Sequence, residues 1–322
     1  MSLLIYAESA EGKFKKVAFE LASYAKKIAE SMNTTVTAVT INSGDNSELS
    51  KYGVSKVVKI TDASLTNFSA KGYAEAIKQV AEKENATLIV LSSTTDSIYL
   101  GPLLAVDLQA GFASNVVALP ISITPFQVKR NSFSNKAFTT TEIKTAIKII
   151  SLSKNSYGIT ENSTSHSEED FNPTFSTSAF GVKVTSVEKS SGKITIADAD
   201  VVVSAGRGLK GPENWGMVEE LAQVLGAATA CSKPVSDLGW RPHGEHVGQT
   251  GKPVAANLYI AVGISGAIQH IAGINSSKVK VVINTDPEAP FFKVADYGIV
   301  GDAFVIIPEL IQKLKVFKAQ NS

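Results

Sequence analysis

The sequence predicts an α/β protein of two domains, and three observations support this prediction. Strand-like and helix-like patterns alternate over the first half of the chain, which is typical of parallel βαβ units with right-handed crossovers. From about Ala118, β-branched segments without helical spacing indicate antiparallel additions to the first domain. The alternation resumes near Ser190 and predicts a Rossmann-like doubly wound fold. We therefore place an N-terminal parallel-sheet α/β domain at residues 1–188 and a second, C-terminal domain at residues 189–322.

The first domain opens with a strand pattern and an amphipathic helix pattern. Val17, Leu21, Tyr24, Ile28 and Met32 follow helical spacing and would face one side of that helix. We predict strands at residues 3–6, 35–41, 54–60 and 86–92, and helices at 15–32, 73–83 and 97–108. We assign the β additions to residues 126–133, 137–153 and 180–190, and a polar surface loop to residues 155–177.

The second domain repeats the alternation of strands and helices. We predict strands at residues 199–204, 258–264, 279–284 and 298–302, with a further strand near 227–231. Helices are predicted at residues 217–225 and 308–317, and a third helix runs through His270. Strands that alternate with helices in this way indicate a second parallel sheet.

A glycine-rich turn follows the strand at residues 199–204. The segment GRGLKG, from Gly206 to Gly211, fits the G-x-G-x-x-G pattern of dinucleotide-binding folds and lies between a strand and a helix. The fit is incomplete, because residues 212–214 delay the helix and no acidic residue is placed to hold a ribose. The segment is either a plain turn or a phosphate-binding loop. Arg207 and Lys210 favour the phosphate-binding loop, because both would lie beside phosphate oxygens.

Two later strand ends carry groups that a purely structural turn does not need. The run LYIAVGI breaks at Ser265 and Gly266 and is followed by Gln269 and His270, while the run VKVVIN ends on Asn284. Ligands of open α/β sheets bind where strands end and helices begin. Small residues at such a place would let a phosphate approach free N–H groups at the start of a helix.

Composition and motifs exclude several classes of protein. The formal net charge of +1 gives no electrostatic basis for binding nucleic acid or an anionic membrane. The one cysteine, Cys231, excludes an intrachain disulfide, and we interpret it as a buried apolar side chain. No apolar run approaches the ~20 residues that cross a bilayer. We expect a cytoplasmic protein that is not membrane-embedded, because no signal-peptide pattern opens the chain.

Neither a metal site nor a set of catalytic side chains stands out. His243 and His246 lie in a loop rich in proline and glycine, and no third ligand of fitting spacing joins them or His270, so we reject a metal centre. There is no G-x-S-x-G motif, no Walker A motif and no pair of carboxylates that we can place on one surface. A protein that leaves its chemistry to a bound cofactor needs none of these.

The chain becomes recognisable between residues 198 and 316. The strings VGQTGK, SGAIQH and VINTDPEAPFFKVADYGIVGD occur in this order and closely resemble the electron-transfer flavoprotein alpha subunit family. In that family this region is the FAD-binding domain, so the resemblance implies FAD as cofactor and an electron carrier that is not an enzyme. The first half of the chain matches the family in organisation only.

The resemblance implies partners as well. Members form a heterodimer with a beta subunit, which carries AMP. They accept electrons from flavin dehydrogenases, such as the acyl-CoA dehydrogenases of fatty acid beta-oxidation, and deliver them to a quinone oxidoreductase. The first domain would be a scaffold that docks the beta subunit and binds no nucleotide of its own.

The resemblance further implies the FAD contacts. Arg207 matches the family's arginine in GRGLK, and Thr250 is expected near flavin N5. His270 is expected near the pyrimidine edge, where a cationic or hydrogen-bonding imidazole would stabilise negative charge. Lys233 stands where the family usually has arginine, so it keeps the charge but loses planar stacking. The expected contacts are Arg207, Ser232, Lys233, Val247, Gly248, Gln249, Thr250, Ser265, Gly266, Ala267, Ile268, Gln269, His270, Asn284 and Asp302, the last two at the adenosine end.

Two other functions stay open at this point. The second domain would also suit an NAD-dependent enzyme, and the cofactor that accompanies the chain discriminates between flavin and NAD. The first domain would suit a nucleotide-binding regulatory module without a redox role. That alternative is weakened because no glycine-rich phosphate loop follows the strands at residues 3–6 and 35–41.

Overall fold

A computed structural model describes residues 2–133, 135–187 and 195–321. The chain divides into two compact units, Met1–Glu188 and Lys189–Ser322. The predicted domain boundary between residues 188 and 189 itself lies outside the described residues. Each unit is built around its own sheet.

In its described residues, the first unit contains a nine-stranded sheet and three α-helices. In chain order its elements are β1 (Ser2–Tyr6), β2 (Ser9–Ala10), β3 (Lys13–Phe14), α1 (Lys16–Ser31), β4 (Val36–Ile41), β5 (Val54–Ile60), α2 (Ala70–Lys83), β6 (Ala86–Ser92), α3 (Thr95–Asp107), β7 (Gly111–Val116), β8 (Gln127–Ser132), β9 (Ala137–Glu142), β10 (Lys148–Leu152) and β11 (Ser167–Asp170). The strand order is β11-β5-β4-β1-β6-β10-β7-β8-β9, and β2 and β3 form a small separate hairpin. All neighbours from β11 to β7 are parallel, while β8 and β9 are antiparallel additions.

Helices cover both faces of this first sheet. α1 packs on one face through Leu21 and Tyr24, whereas α2 and α3 pack on the other through Ile77 and Leu104. The chain moves outward from β1 to β4 and β5 and then returns to β6 on the other side of β1. The point where the strand order reverses therefore lies between β1 and β6.

Side chains close the reversal point of the first sheet. Glu8 follows β1 and is buried. Its carboxylate accepts hydrogen bonds from the hydroxyl groups of Thr94 (2.5 Å) and Ser97 (3.3 Å) and pairs with the Lys15 ammonium (3.0 Å). Because Glu8 follows β1 and both hydroxyl groups follow β6, these bonds tie the two strand ends together.

The β additions were predicted correctly for β8 and β9 and wrongly for β10. The stretch 137–153 was expected to be antiparallel throughout, yet β10 lies between β6 and β7 and is parallel to both. Its run of buried apolar residues suits a central parallel strand, which is covered on both faces. β7 was not predicted, because its sequence GFASNV has low strand propensity.

Two further sequence predictions in the first unit were wrong. Within the polar stretch 155–177, the segment SEED forms the edge strand β11, which pairs with β5 through its backbone while its side chains stay largely exposed. Residues 180–187 form no strand, although their β-branched composition favoured one. The rest of that predicted strand, residues 188–190, lies outside the described residues.

The second unit is a five-stranded, fully parallel sheet with helices on both faces. Its elements are β12 (Val201–Ala205), α4 (Gly216–Leu225), β13 (Ala228–Cys231), α5 (Lys233–Asp237), β14 (Leu258–Val262), α6 (Ile268–Ile274), β15 (Val279–Asn284), β16 (Tyr297–Val300) and α7 (Ala303–Gln320). The strand order is β13-β12-β14-β15-β16. The predicted α/β class with a doubly wound second domain is confirmed, and the reversal point lies between β12 and β14.

Residues alternate between the two faces of this second sheet. Val203 and Val262 belong to the core that contains α4 and α7, whereas Val202 and Tyr259 belong to the core on the opposite face. The last helix starts earlier than predicted. Pro308 was expected to begin it, but α7 begins at Ala303, because the Asp302 carboxylate accepts a hydrogen bond from the backbone N–H of Phe304 (2.9 Å) and caps the helix.

Candidate functional site

Every residue implied as a cofactor contact lies at the carboxyl edge of the second sheet. Arg207 follows β12, Ser232 and Lys233 follow β13, the segment 265–270 follows β14, Asn284 ends β15, and Asp302 follows β16. The loop 247–250 reaches the same edge, because the backbone N–H of Val247 donates to the carbonyl of Cys231 at the end of β13 (3.0 Å). Parallel strands bring their carboxyl ends together, so residues distant in sequence share one edge.

Glycines at the reversal point bring two backbones into direct contact. A Cβ on Gly206 would stand 2.3 Å from the carbonyl oxygen of Gly263, and one on Gly208 would stand 2.6 Å from the Cα of Gly263. The N–H of Gly208 donates to that same carbonyl (3.1 Å). The sequence suggested that these glycines admit a pyrophosphate. In the structure, the loop after β14 occupies the positions that Cβ atoms on Gly206 and Gly208 would take.

The loop Val247 to Lys252 packs on the first residues of α6. The N–H of Gln249 donates to the carbonyl of Gln269 (2.8 Å). Gly248 has a φ of +151°. A Cβ on Gly273 would stand 2.6 Å from the Cα of Gly248, so the two backbones are in direct contact. The structure therefore brings together two of the three motifs that carried the resemblance, VGQTGK and SGAIQH. Gln249 and Thr250 remain exposed at this junction.

A turn of fixed shape connects β14 to α6. The carbonyl of Ser265 accepts a hydrogen bond from the N–H of Phe291 (3.1 Å). Gly266 has a φ of +88° and contacts the backbone of Phe291, where a Cβ would approach within 2.5 Å. Ala267 precedes the helix, and its carbonyl accepts from the N–H of His270 (2.8 Å). The side chains of Ser265, Ala267, Ile268 and Gln269 are exposed, so the turn is rigid in its backbone and accessible on its surface.

His270 is the buried polar group of the site. Its side chain is 6% exposed, and its Nε2 lies 2.8 Å from the hydroxyl oxygen of Tyr259. Its Nδ1 is buried and has no hydrogen-bond partner in the part of the chain that the structure describes. Burial lowers the pKa of His270 to about 4, with a smaller contribution from His246. The imidazole is thus neutral at neutral pH.

Exposed cations surround this edge. Arg207 lies in a short 3-10 helix directly after β12, and Lys233 is the first residue of α5. Both side chains are exposed. The Lys210 ammonium lies over the Phe304 ring, 4.9 Å from its centroid, and links the loop after β12 to α7. Ser232, between β13 and α5, is buried and its carbonyl accepts from the N–H of Val235 (3.1 Å).

Asn284 and Asp302 already have structural roles. The Asn284 amide donates to the carbonyl of Ile264 (3.0 Å) and accepts from the N–H of Asp286 (3.1 Å), so it joins the ends of β14 and β15. One carboxylate oxygen of Asp302 caps α7. Each side chain keeps further hydrogen-bonding capacity, since an amide and a carboxylate can both make more bonds than these.

The other two histidines of this region are not grouped with His270 as metal ligands. The Nδ1 of His243 lies 2.9 Å from the Ser236 hydroxyl. His246 is buried beneath the loop, and a Cβ on Gly251 would stand 2.9 Å from its Cγ. Within the described ranges, no three His, Cys, Asp or Glu side chains are grouped as a metal site would require. Cys231 is buried, as expected, and burial raises its pKa to about 12.

Three residues of this site escaped the sequence-based set. Tyr259 lies in the middle of an apolar strand, Phe291 packs beside it, and His246 was considered only as a metal ligand. Tyrosine in a buried strand is itself a signal, because its hydroxyl needs a hydrogen-bond partner. Among the residues that the structure describes, no helix has the length and hydropathy needed to cross a membrane.

Both units match known protein families. Residues 195–275 match the family model described as the electron transfer flavoprotein FAD-binding domain, and residues 3–173 match the electron transfer flavoprotein domain. The electron transfer flavoprotein subunit alpha of Thermoanaerobacterium thermosaccharolyticum is 36% identical over 98% of this chain and 98% of its own. The subunit alpha of Bacillus subtilis is 36% identical over 97% of each chain. That of Paracoccus denitrificans is 56% identical over 119 residues, which are 37% of this chain and 39% of its own. The chain therefore belongs to the family of electron transfer flavoprotein alpha subunits.

Proposed function

We propose that this chain binds one FAD non-covalently at the carboxyl edge of its second sheet and acts as the FAD-carrying alpha subunit of an electron transfer flavoprotein. The observation that carries the proposal is the convergence of all the implied contacts on this one edge. They come from five different strand ends and one long loop. The match of residues 195–275 to a FAD-binding domain supports the choice of cofactor.

An unpaired buried atom and two exposed cations at this edge also support a bound cofactor. The buried Nδ1 of His270 has no partner among the described residues. Leaving a buried polar atom unsatisfied costs about 1–3 kcal/mol, so a bound group that supplies the missing hydrogen bond is favoured. The exposed cations Arg207 and Lys233 at the same edge suit the negative charge of a pyrophosphate or a reduced ring.

The side chains hold and orient the cofactor, and its own ring does the redox chemistry. Bound FAD supplies the reversible uptake and release of electrons, which no side chain here provides. Arg207 would pair with phosphate or ring oxygens, and the exposed amide and hydroxyl of Gln249 and Thr250 would donate hydrogen bonds to the ring. Lys233 and His270 would favour negative charge on it, Lys233 by its charge and His270 by hydrogen bonding. Asn284 and Asp302 would hold the adenosine end.

Partners follow from the family. We propose that the first unit docks a beta subunit that carries AMP, and that the pair takes electrons from flavin dehydrogenases such as acyl-CoA dehydrogenases and passes them to a quinone oxidoreductase. The match of residues 3–173 to the electron transfer flavoprotein domain supports the docking role. The closed reversal point at Glu8 is consistent with a first unit that carries no nucleotide.

Purification of the chain together with its beta subunit tests the proposal. We expect a yellow complex with one FAD per alpha chain, and acid or heat should release the cofactor intact for mass measurement. The alpha chain alone should aggregate or lose flavin, because obligate interfaces commonly bury over ~2,000 Å² of surface. Recovery of FMN, of NAD, or of no cofactor from the complex would show that the assignment is wrong.

A further inference from the structure

Three polar side chains lie together in the apolar core beneath the candidate site. Tyr259, on β14, is fully buried, and so is Ser204 on the neighbouring strand β12. The Tyr259 hydroxyl contacts His270 Nε2 at 2.8 Å and lies beside Ser204. The Ser204 hydroxyl has no hydrogen bond of good geometry within the described residues. This Ser204–Tyr259–His270 group connects the reversal point of the sheet to the site histidine.

The direction of the hydrogen bond between Tyr259 and His270 decides which imidazole nitrogen carries the proton. A phenol donates one hydrogen bond, and a neutral imidazole has one donor and one acceptor nitrogen. Burial raises the pKa of Tyr259 far above its ordinary value, so the phenol keeps its proton. Burial lowers the pKa of His270, so the ring carries one proton only. If the phenol donates to Nε2, the imidazole proton must stand on Nδ1.

The surroundings of the ring favour this direction. Among the described residues, the hydrogen bond of good geometry at the Tyr259 hydroxyl is the one with His270, because the Ser204 hydroxyl makes none. The phenol proton is therefore satisfied when it is donated to Nε2, and the imidazole proton then stands on Nδ1. The opposite arrangement would leave the buried phenol proton without an acceptor, at a cost that the first arrangement avoids.

We propose that Tyr259 is a positioning residue that holds His270 as the Nδ1–H tautomer, so that the otherwise unpartnered Nδ1 offers a hydrogen bond to an acceptor atom of the bound cofactor. The identity of the cofactor rests on the proposed function, whereas the tautomer does not. The orientation of the ring is supported by packing as well, since Phe291 lies parallel to Tyr259 at 6.4 Å and within 6.1 Å of His270, measured between ring centroids.

The variant Tyr259→Phe removes the hydroxyl and retains the aromatic packing. Nitrogen-15 NMR of the histidine rings in the full chain with its beta subunit reads the tautomer directly, and His270→Gln assigns the signals among the four histidines. We expect the wild-type ring to show a protonated Nδ1 and a bare Nε2, and Tyr259→Phe to move the proton toward Nε2 or give a mixture. A wild-type ring protonated at Nε2, or an unchanged ring in Tyr259→Phe, would overturn the proposal.

Two further variants separate positioning from general destabilisation. Tyr24→Phe is a matched control, because it deletes another buried phenol, one that donates to the carbonyl of Ala118 (2.9 Å) in the first unit. It should leave the His270 tautomer unchanged. Ser204→Ala tests the direction of the bond, since the loss of Ser204 is harmless to the tautomer if Tyr259 donates to His270. A tautomer change in Ser204→Ala would show that Tyr259 donates to Ser204 instead.

FAD titration of the same samples distinguishes this proposal from the proposed function. Tyr259→Phe should bind FAD about fivefold more weakly, the loss expected when one neutral hydrogen bond is no longer oriented. Tyr24→Phe should bind FAD as the wild type does. If no variant, including the wild type, binds FAD while the tautomers behave as expected, then the proposed function fails and the role of Tyr259 stands. If the wild type binds FAD normally but its His270 ring is protonated at Nε2, then the proposed function stands and the role of Tyr259 fails.

Discussion

The two sheets reverse their strand order in the same way but fill the reversal point differently. In the first unit, between β1 and β6, the buried Glu8 carboxylate is bonded to Thr94, Ser97 and Lys15. In the second, between β12 and β14, the backbones of Gly206 and Gly208 touch that of Gly263 directly. One edge satisfies its polar groups internally, whereas the other is built from bare backbone beside exposed cations and a buried, unsatisfied imidazole nitrogen.

A shared topology therefore does not fix the use of a sheet edge. Both sheets have a reversal point of the kind at which open α/β sheets bind ligands. Whether a ligand binds at the reversal point depends on the polar groups that remain unpaired there. A carboxylate with three hydrogen-bond partners can accept few further bonds from a ligand. The second edge retains hydrogen-bonding capacity and positive charge, and this is the edge to which we assign FAD.

The largest effect is expected from closing the second edge with a side chain. At Gly263 the φ is +60°, and a Cβ would stand 2.8 Å from the Cα of Gly208. Gly263→Val should therefore abolish FAD binding and lower the free energy of unfolding by about 3 kcal/mol or more. Urea unfolding and the flavin-to-protein ratio measure both. Gly216→Ala, where a Cβ meets nothing within 4 Å, should be neutral in both measurements. Retained flavin in Gly263→Val would contradict the idea that the bare backbone contact shapes the site.

Removing a cation from the second edge should weaken the cofactor without unfolding the chain. Arg207→Ala should lower the free energy of FAD binding by about 1.5–3 kcal/mol, the range for a charge-assisted hydrogen bond. Arg207 is exposed in a short 3-10 helix after β12, so the unfolding midpoint of the variant should stay unchanged. The control is Lys71→Ala, which removes an exposed cation from the first unit. Equal FAD affinity of Arg207→Ala and Lys71→Ala in a fluorescence titration would reduce GRGLKG to a plain turn.

Acidification should destabilise the chain through His270 before carboxylates titrate. The pKa of His270 is about 4 in the folded chain and near 6.5 once unfolded, so as pH falls below 6.5 the unfolded state takes up the proton first. The contribution of the neutral His270 ring to the free energy of unfolding is complete above pH 6.5 and is lost as the pH falls to 4. The loss should reach about 2 kcal/mol between pH 7.5 and pH 5. His270→Gln should flatten this slope in urea unfolding, leaving the smaller part due to His246, whose pKa burial also lowers. An unaltered slope in His270→Gln would exclude a neutral buried imidazole as its cause.

The smallest effect is expected at the first edge. Glu8→Gln exchanges a charged acceptor for an amide and removes the pairing with Lys15, whose side chain is 38% exposed and therefore screened. We expect a loss of about 1 kcal/mol in the free energy of unfolding. The FAD content of the folded complex should match that of the wild type. A drop in FAD content without a change in the unfolding midpoint would mean that the first edge contributes to the cofactor site.

The sequence predicted strands where burial is continuous and failed where backbone pairing overrides composition. β5, β6 and β15 have the predicted bounds, because their apolar runs leave one interpretation. β11 is a polar strand that exists only because the edge of β5 accepts its backbone, a contact that no local pattern encodes. The direction of β10 depends on the chain returning to the interior of the sheet, which strand propensity does not reveal.

For the candidate site, the sequence predicted a set of residues but not the interactions among them. Strand ends and glycines mark the edge, so Arg207 and His270 could be named from the order of elements and the family resemblance. The contact between Gly206 and Gly263 could not be predicted, since it depends on which strands are neighbours. Nor could the neutrality of His270, because burial beside Tyr259 and Phe291 lowers its pKa and both neighbours lie outside its helix.

The pairing of β12 with β14 has a kinetic consequence. Val201 lies opposite Leu258, with α4, β13 and α5 between them in the chain, while β14 to β16 pair with near neighbours in sequence. Contacts between distant residues form late, because the entropy of closing the intervening loop opposes them until they are made. We therefore expect the chain to assemble β14, β15 and β16 first and to bring the glycines of the two loops together last. Until that step the edge to which we assign FAD is not formed. Flavin binding would therefore report the end of folding and would not assist its beginning.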